Sequence, residues 1–171
     1  EPLDVVKPTV YAALTVDWPK EKLNVYILDD GSRKEFKDFA CEVGAGYIER
    51  EEHKHAKAGN INHAMGITKG DFIAIFDCDH VPVKTFLQKT MGWFLKDEKI
   101  ALVQTPHHFY SQDPFEKNLH LKENVPNENS LFHDFIQKGN DTWNATMFCG
   151  SCAIMRRKAL EEVGGIAVET V

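Results

Sequence analysis

An α/β fold, a mostly parallel sheet covered by helices, is predicted here by three features of the sequence. Short apolar runs of strand length alternate with amphipathic stretches of helix length, the pattern of strand–helix–strand units. Several of the apolar runs end abruptly in polar clusters, as in "LDDGS" and "FDCDH", and sheets of this kind gather their ligands at the carboxyl ends of the strands. Finally, 171 residues with 43% hydrophobic content are enough to bury one sizeable core, which bounds the chain to a single domain.

Taken in order, "VYAALTV" reads as part of a helix starting near Pro8, because proline suits a first helical turn. "LNVYIL" is a short buried strand and "KEFKDFACEV" a helix with apolar spacing. "AGYIER" follows as a strand, then a polar loop at 50–58 and a helix from Asn60 to Thr68. "DFIAIF" is a strand, "KTFLQKTMGWFLK" an amphipathic helix and "IALVQT" another strand. From Pro106 to Trp143 the pattern loosens into polar segments rich in Asn, Lys and Glu, an excursion over one face. "TMFCGSCAIMRR" returns as a strand-like run, followed by the helix "KALEEV" and a Gly164-Gly165 stop.

Composition excludes several function classes. The net charge of −6 is spread without a basic block, so no nucleic-acid surface is indicated. Four cysteines, at 41, 78, 149 and 152, do not make a disulfide framework in a chain of this size, which favours a reducing compartment. No apolar run approaches the roughly 18 residues that span a bilayer, and the expectation is a soluble piece. Glu1 opens the chain without an initiator Met and "GGIAVETV" stops inside a loop. The domain is therefore expected to be incomplete at both ends.

Three polar clusters fall at strand ends. In "LDDGS", Asp29 and Asp30 close a strand and Gly31 permits a tight turn; a carboxylate there accepts hydrogen bonds from a base or sugar, and the plainer reading is a turn with Ser32 as a helix N-cap. In "HAKAGN", Lys57 precedes a helix whose first N–H groups are unpaired, an anion pocket, against the plainer reading of a solvated lysine. In "FDCDH", residues two apart on a strand share a side, so Asp77 and Asp79 converge if strand geometry persists that far. Two hard oxygen donors suit magnesium, or manganese in its place, and His80 adds a ligand or a phosphate contact. The competing reading is a pair of N-cap residues, although one cap needs only one Asp.

Together, "LDDGS", "HAKAGN", "FDCDHVP", "VQTPHHF", "MFCGS" and "GGIAVET", in this order, resemble the catalytic domain of processive family 2 glycosyltransferases of the bacterial cellulose synthase type, over essentially the whole chain. The resemblance implies the GT-A (Rossmann-like) fold, UDP-glucose as donor, a β-1,4-glucan acceptor, magnesium, and inversion at the transferred carbon. It assigns Glu1, Asp29, Asp30, Lys57 and His80 to UDP, and Asp77 and Asp79 to the metal as the D-x-D motif. It assigns His107, Phe148, Cys149, Gly150 and Ser151 to the acceptor side. Residues 1–105 would form the UDP and metal half and 106–171 the acceptor half. Met147 stands where the family usually has a second Phe. The T-E-D motif that carries the family's catalytic base is expected after Val171, so no catalytic base is assigned within the chain and the piece alone is expected to be inactive. The resemblance also implies, for a full-length protein, transmembrane helices at the cytoplasmic face of the bacterial inner membrane, a periplasmic partner subunit and cyclic di-GMP regulation.

Two rival readings use the same residues differently. "DCDHV" fits the D-x-D-x-[TV] pattern of haloacid-dehalogenase-like phosphohydrolases, with Asp77 as nucleophile and Asp79 as acid/base, but those enzymes place it after their first strand. "CGSC" read as half of a zinc site or a redox pair would make a thiol module through Cys149 and Cys152. No second pair of ligands stands at a matching spacing.

Overall fold

The computed structural model describes residues 1–108, 118 and 131–169. Helix α1 (Leu3–Leu14) leads to strand β1 (Tyr26–Leu28), helix α2 (Lys34–Val43) and strand β2 (Gly46–Ile48). The strands β1 and β2 pair in parallel, with Tyr26 opposite Gly46 and Leu28 opposite Ile48. Phe36, Phe39 and Ala40 recur at the three- and four-residue spacing of one helix face and are buried against Ile27 and against Val6 and Val10 of α1. Gly44 ends α2 in the left-handed region at φ 75°, and the Ala45 N–H then reaches back to the Ala40 carbonyl at 2.9 Å.

Helix α1 begins five residues earlier than the sequence suggests, so Pro8 lies inside it rather than at its first turn. An interior proline removes one hydrogen bond at a cost of about 3 kcal/mol. Burial of Val6 and Val10, with Leu3 packed beside them, offsets that loss.

Helix α3 (Ala56–Ile67), strand β3 (Phe72–Ile75), helix α4 (Phe86–Lys96) and strand β4 (Leu102–Gln104) follow. A π-helical turn (Phe132–Gln137) runs into the short helix α5 (Lys138–Thr142), then come strand β5 (Ala153–Arg156) and helix α6 (Arg157–Glu162). The strand-like run from Thr146 is thus ordered as a strand only from Ala153. Much of the excursion expected between Pro106 and Trp143 lies outside the described residues.

The second sheet has the order β3-β5-β4. The α/β expectation holds, with one refinement in strand direction: β5 runs antiparallel between β3 and β4, which therefore share a direction. Alternation along β5 sends Ile154 into a core with Phe86, Leu87, Phe94 and Val16, and Met155 into another with Ile61 and Ile75. Helices cover both faces, as near-continuous apolar strands require. Because β5 is reversed, Ala153 at its start pairs with Ile75 and Gln104 at the ends of β3 and β4. The Gly150–Cys152 loop is thereby delivered to the carboxyl ends of the other two strands. No helix among the described residues is long and apolar enough to cross a membrane.

Candidate active site

The turn after β1 is built around Asp29. Its carboxylate, 2% exposed, accepts hydrogen bonds from the Gly31 N–H at 3.1 Å, the Arg33 N–H at 2.8 Å, the Arg33 guanidinium at 2.8 and 3.1 Å, and the Tyr47 hydroxyl at 3.0 Å. Burial pushes its pKa up, but these bonds, Arg33 foremost, outweigh burial and hold it at about 2. Burial and the bond to Asp29 push Tyr47 up to about 12. The helix cap expected at Ser32 is not formed there: Ser32 has φ 46° and Arg33 takes the N-cap position of α2 without a side-chain cap bond, while Asp29 holds the N–H of Arg33 itself. Glu1 joins this corner through its backbone carbonyl, which accepts from Arg33 Nη1 at 2.8 Å, while its side chain is exposed.

Asp30 points a half-exposed carboxylate the other way, into a bidentate pair with Arg50 at 2.6 and 2.7 Å. The Arg50 bond holds the Asp30 pKa below the usual carboxylate range. Arg50 itself is buried, and its remaining N–H groups donate to the carbonyls of Lys54 at 2.8 Å and Ala56 at 2.9 Å. It thus braces the entry to α3. Gly59 is required there: a Cβ at that position would stand 2.2 Å from the Lys54 carbonyl and 2.6 Å from Arg50 Nη1.

Lys57 lies within the first turn of α3, not in a loop before it. His55 and Ala56, both at positive φ, turn the chain into the helix so that Lys57 Nζ meets Asp77 Oδ1 and the Gly150 carbonyl. On the same helix, Asn62 exchanges hydrogen bonds with Ile166 at 2.8 and 2.9 Å. This places "GGIA" beside "HAKAGN".

Asp77, Asp79 and His80 do converge, for a different reason than strand alternation. Strand β3 stops at Ile75; a turn closed by the His80 N–H on the Asp77 carbonyl at 3.0 Å gathers the three side chains, whose ligand atoms lie within 4.8 Å of one another. Two carboxylates and an imidazole at that separation fit a hard divalent cation.

Ser151, fully buried, joins this turn to β4 and β5. Its Oγ accepts from the Asp77 N–H at 2.8 Å and meets His80 Nδ1 at 2.7 Å. Its carbonyl accepts from Gln104 Nε2 at 2.8 Å and from His107 Nε2 at 2.9 Å. Gln104 Oε1 in turn accepts from the Cys149 N–H at 2.9 Å. Gly150 adopts φ 85°, presenting its carbonyl to Lys57, and Phe148 packs against the Ile61–Ile75–Met155 core. The imidazoles of His80, His107 and His133 lie in a row, with centroids 4.9 and 5.0 Å apart and ring planes tilted by 57° and 51°. Burial, with His107 and His108 nearby, lowers the pKa of His133.

The structure thus brings Lys57, Asp77, Asp79, His80, His107, Gly150 and Ser151 to one place and sets Asp29 with Glu1 around Arg33. Sequence reasoning missed Arg33, Tyr47, Arg50, Gln104, Gln137 and His133. Only Gln104, next to the "TPH" run, and Arg33, four residues after Asp29, carried a local signal.

The sequence model of Glycosyl transferase family 2 matches residues 2–164. The chain belongs to this family. Among curated relatives of this family 2 domain, the cellulose synthase catalytic subunit (UDP-forming) of Xanthomonas axonopodis pv. citri is 60% identical over all 171 residues. Cellulose synthase 2 of Novacetimonas hansenii is 58% identical over the same span. The domain covers 24% and 11% of those two proteins. Among solved structures it superposes on the mannosyltransferase PcManGT of Pyrobaculum calidifontis, in complex with GDP-Man and Mn2+, with a TM-score of 0.66 at 17% identity. That match covers 99% of this chain and 45% of the other. The fold of this family 2 domain is thus that of a nucleotide-sugar glycosyltransferase, the GT-A class.

Proposed function

We propose that this stretch is the donor-binding part of a cellulose synthase, which transfers glucose from UDP-glucose to the end of a growing β-1,4-glucan with inversion. The observation that carries the reading is the meeting of Lys57, the Asp77–Asp79–His80 turn and the Ser151 loop at the ends of β3 and β4. Near 60% identity to UDP-forming synthases supports it.

In this reading Asp30 faces the uridine while Asp29 and Glu1, through Arg33, hold the turn that positions it. Lys57, in a helical first turn, contacts the diphosphate. Asp77, Asp79 and His80 hold magnesium or manganese, which supplies positive charge against the departing diphosphate. Ser151 fixes Asp77 by its backbone N–H and orients His80, so the carboxylates are positioned before donor arrives. Residues Phe148 to Ser151, with His107, form the approach for the acceptor, which makes 1–105 the donor half and 106–171 the acceptor half. No general base is assigned to the described residues; in a full-length protein the base, the membrane helices at the cytoplasmic face and any periplasmic partner would come from elsewhere.

Calorimetric titration with UDP tests this reading. Binding in magnesium or manganese is expected to vanish with chelator, and Asp77→Ala or Asp79→Ala to weaken it more than about tenfold, since a hydrogen bond or ligand contact from a charged group contributes about 1.5 to 3 kcal/mol. UDP binding indifferent to the cation would overturn it.

A further inference from the structure

Beside the D-x-D turn lies a second grouping of different chemistry. His80, His107 and Cys152 present ligand atoms within 4.8 Å of one another. They come from three separate strand connections, after β3, after β4 and immediately before β5, so the cluster is a product of the fold and not of a local sequence pattern. His80 Nδ1 stands 3.6 Å from Cys152 Sγ. A tetrahedral zinc with a Zn–S bond of about 2.3 Å and a Zn–N bond of about 2.0 to 2.1 Å sets its nitrogen and sulfur ligands about 3.6 Å apart. The pair is already at coordination distance.

We propose that His80, His107 and Cys152 form a thiophilic metal site that takes Zn2+. Two nitrogens and a thiolate select borderline-soft cations, whereas the neighbouring carboxylates select hard ones. Cys152 is held at φ 51°, its sulfur near His80 and 3.6 Å from Ser151 Oγ. Ser151 holds both imidazoles, His80 through the hydroxyl and His107 through the carbonyl, with Gln104 Nε2 3.5 Å from His107 Nε2. A metal on those nitrogens displaces the hydrogen bonds to Ser151 and the 3.9 Å approach of His80 Nδ1 to Asp77 Oδ2. Cys149 is not part of the set: its sulfur accepts from Gln137 Nε2 at 3.0 Å, which separates this site from a C-x-x-C clamp. Three protein ligands leave a fourth position for water. Because His80 belongs to both groupings, zinc here draws the imidazole away from Asp77 and Asp79. The site stands on its own geometry and shares only His80 with the metal set assigned above.

The test is titration of the chain with Co2+, which reports a thiolate ligand by sulfur-to-cobalt charge-transfer absorption in the near ultraviolet, with circular dichroism as the check on folding. The band is expected in the unaltered chain, in Cys149→Ser and in Asp77→Asn/Asp79→Asn, and to be bleached by Zn2+ but not by excess Mg2+. Cys152→Ser is expected to abolish it, and His107→Ala, with the thiol intact, to weaken cobalt affinity at least tenfold. Absence of the band in the unaltered chain, its persistence in Cys152→Ser, or its loss in a folded Cys149→Ser would overturn the proposal.

Discussion

Asp29 shows how much of the turn after β1 is spent on holding the turn itself. Its carboxylate takes five protein donors, about as many as two oxygens accommodate, so its contribution is structural. Its folded pKa, about 2, lies below the ordinary aspartate value of 3.8. Because the folded value is the lower one, the stabilisation is complete above about pH 4 and is lost as pH falls through about 2, an effect of about 2 kcal/mol. Urea titrations between pH 5 and pH 2 should show this loss, and Asp29→Asn should flatten it. Removing the carboxylate altogether in Asp29→Ala takes the acceptor from the Gly31 and Arg33 N–H groups and the Tyr47 hydroxyl and should cost about 1 to 3 kcal/mol at pH 7. Lys57 is the contrasting case. Its pair with Asp77 is partly exposed on both sides, so Lys57→Ala should change stability by less than about 1 kcal/mol. The same change should weaken UDP binding far more than uridine binding; equal losses in calorimetry would refute a phosphate contact.

Elements were legible in the sequence where local pattern decides them. Helix α2 matches its apolar spacing residue for residue, and the strands sit where short apolar runs predict them. Strand direction was less legible, because it is settled by long-range pairing. The sequence places "MFCGS" near the acceptor only by resemblance; its meeting with "FDCDH" follows from β5 being reversed, since a parallel β5 would carry Ser151 to the opposite end of the sheet. The partner Arg50 was invisible for a related reason, as its acceptor Asp30 lies twenty residues away in the chain, whereas Arg33 pairs with Asp29 only four residues before it and was simply passed over. Helix α3 offers a direct check at this scale. Gly59→Ala pushes a methyl into the Lys54 carbonyl and Arg50, and overpacking of this kind typically costs about 1 to 3 kcal/mol. Gly66→Ala on the same helix meets nothing within 4 Å and should stabilise it slightly by propensity. Thermal unfolding of the two variants should move in opposite directions.

Across the whole molecule, one side chain connects what β1 and α3 contribute. Arg50 grips Asp30 with one edge of its guanidinium and the carbonyls of Lys54 and Ala56 with the rest, and Ala56 is the residue before Lys57. A planar group with fixed internal distances therefore separates the corner proposed for the base from the ammonium proposed for the phosphates. It acts as a gauge: the span between the two ends of the ligand is dictated by the size of a guanidinium rather than by flexible loops. Arg50→Lys keeps the charge and loses the fork, so it should loosen both ends together, weakening uridine and UDP alike, and the double variant with Lys57→Ala should lose less than the sum of the two single losses. Under the proposed assignment, ligand length would be read by a ruler that never touches the ligand.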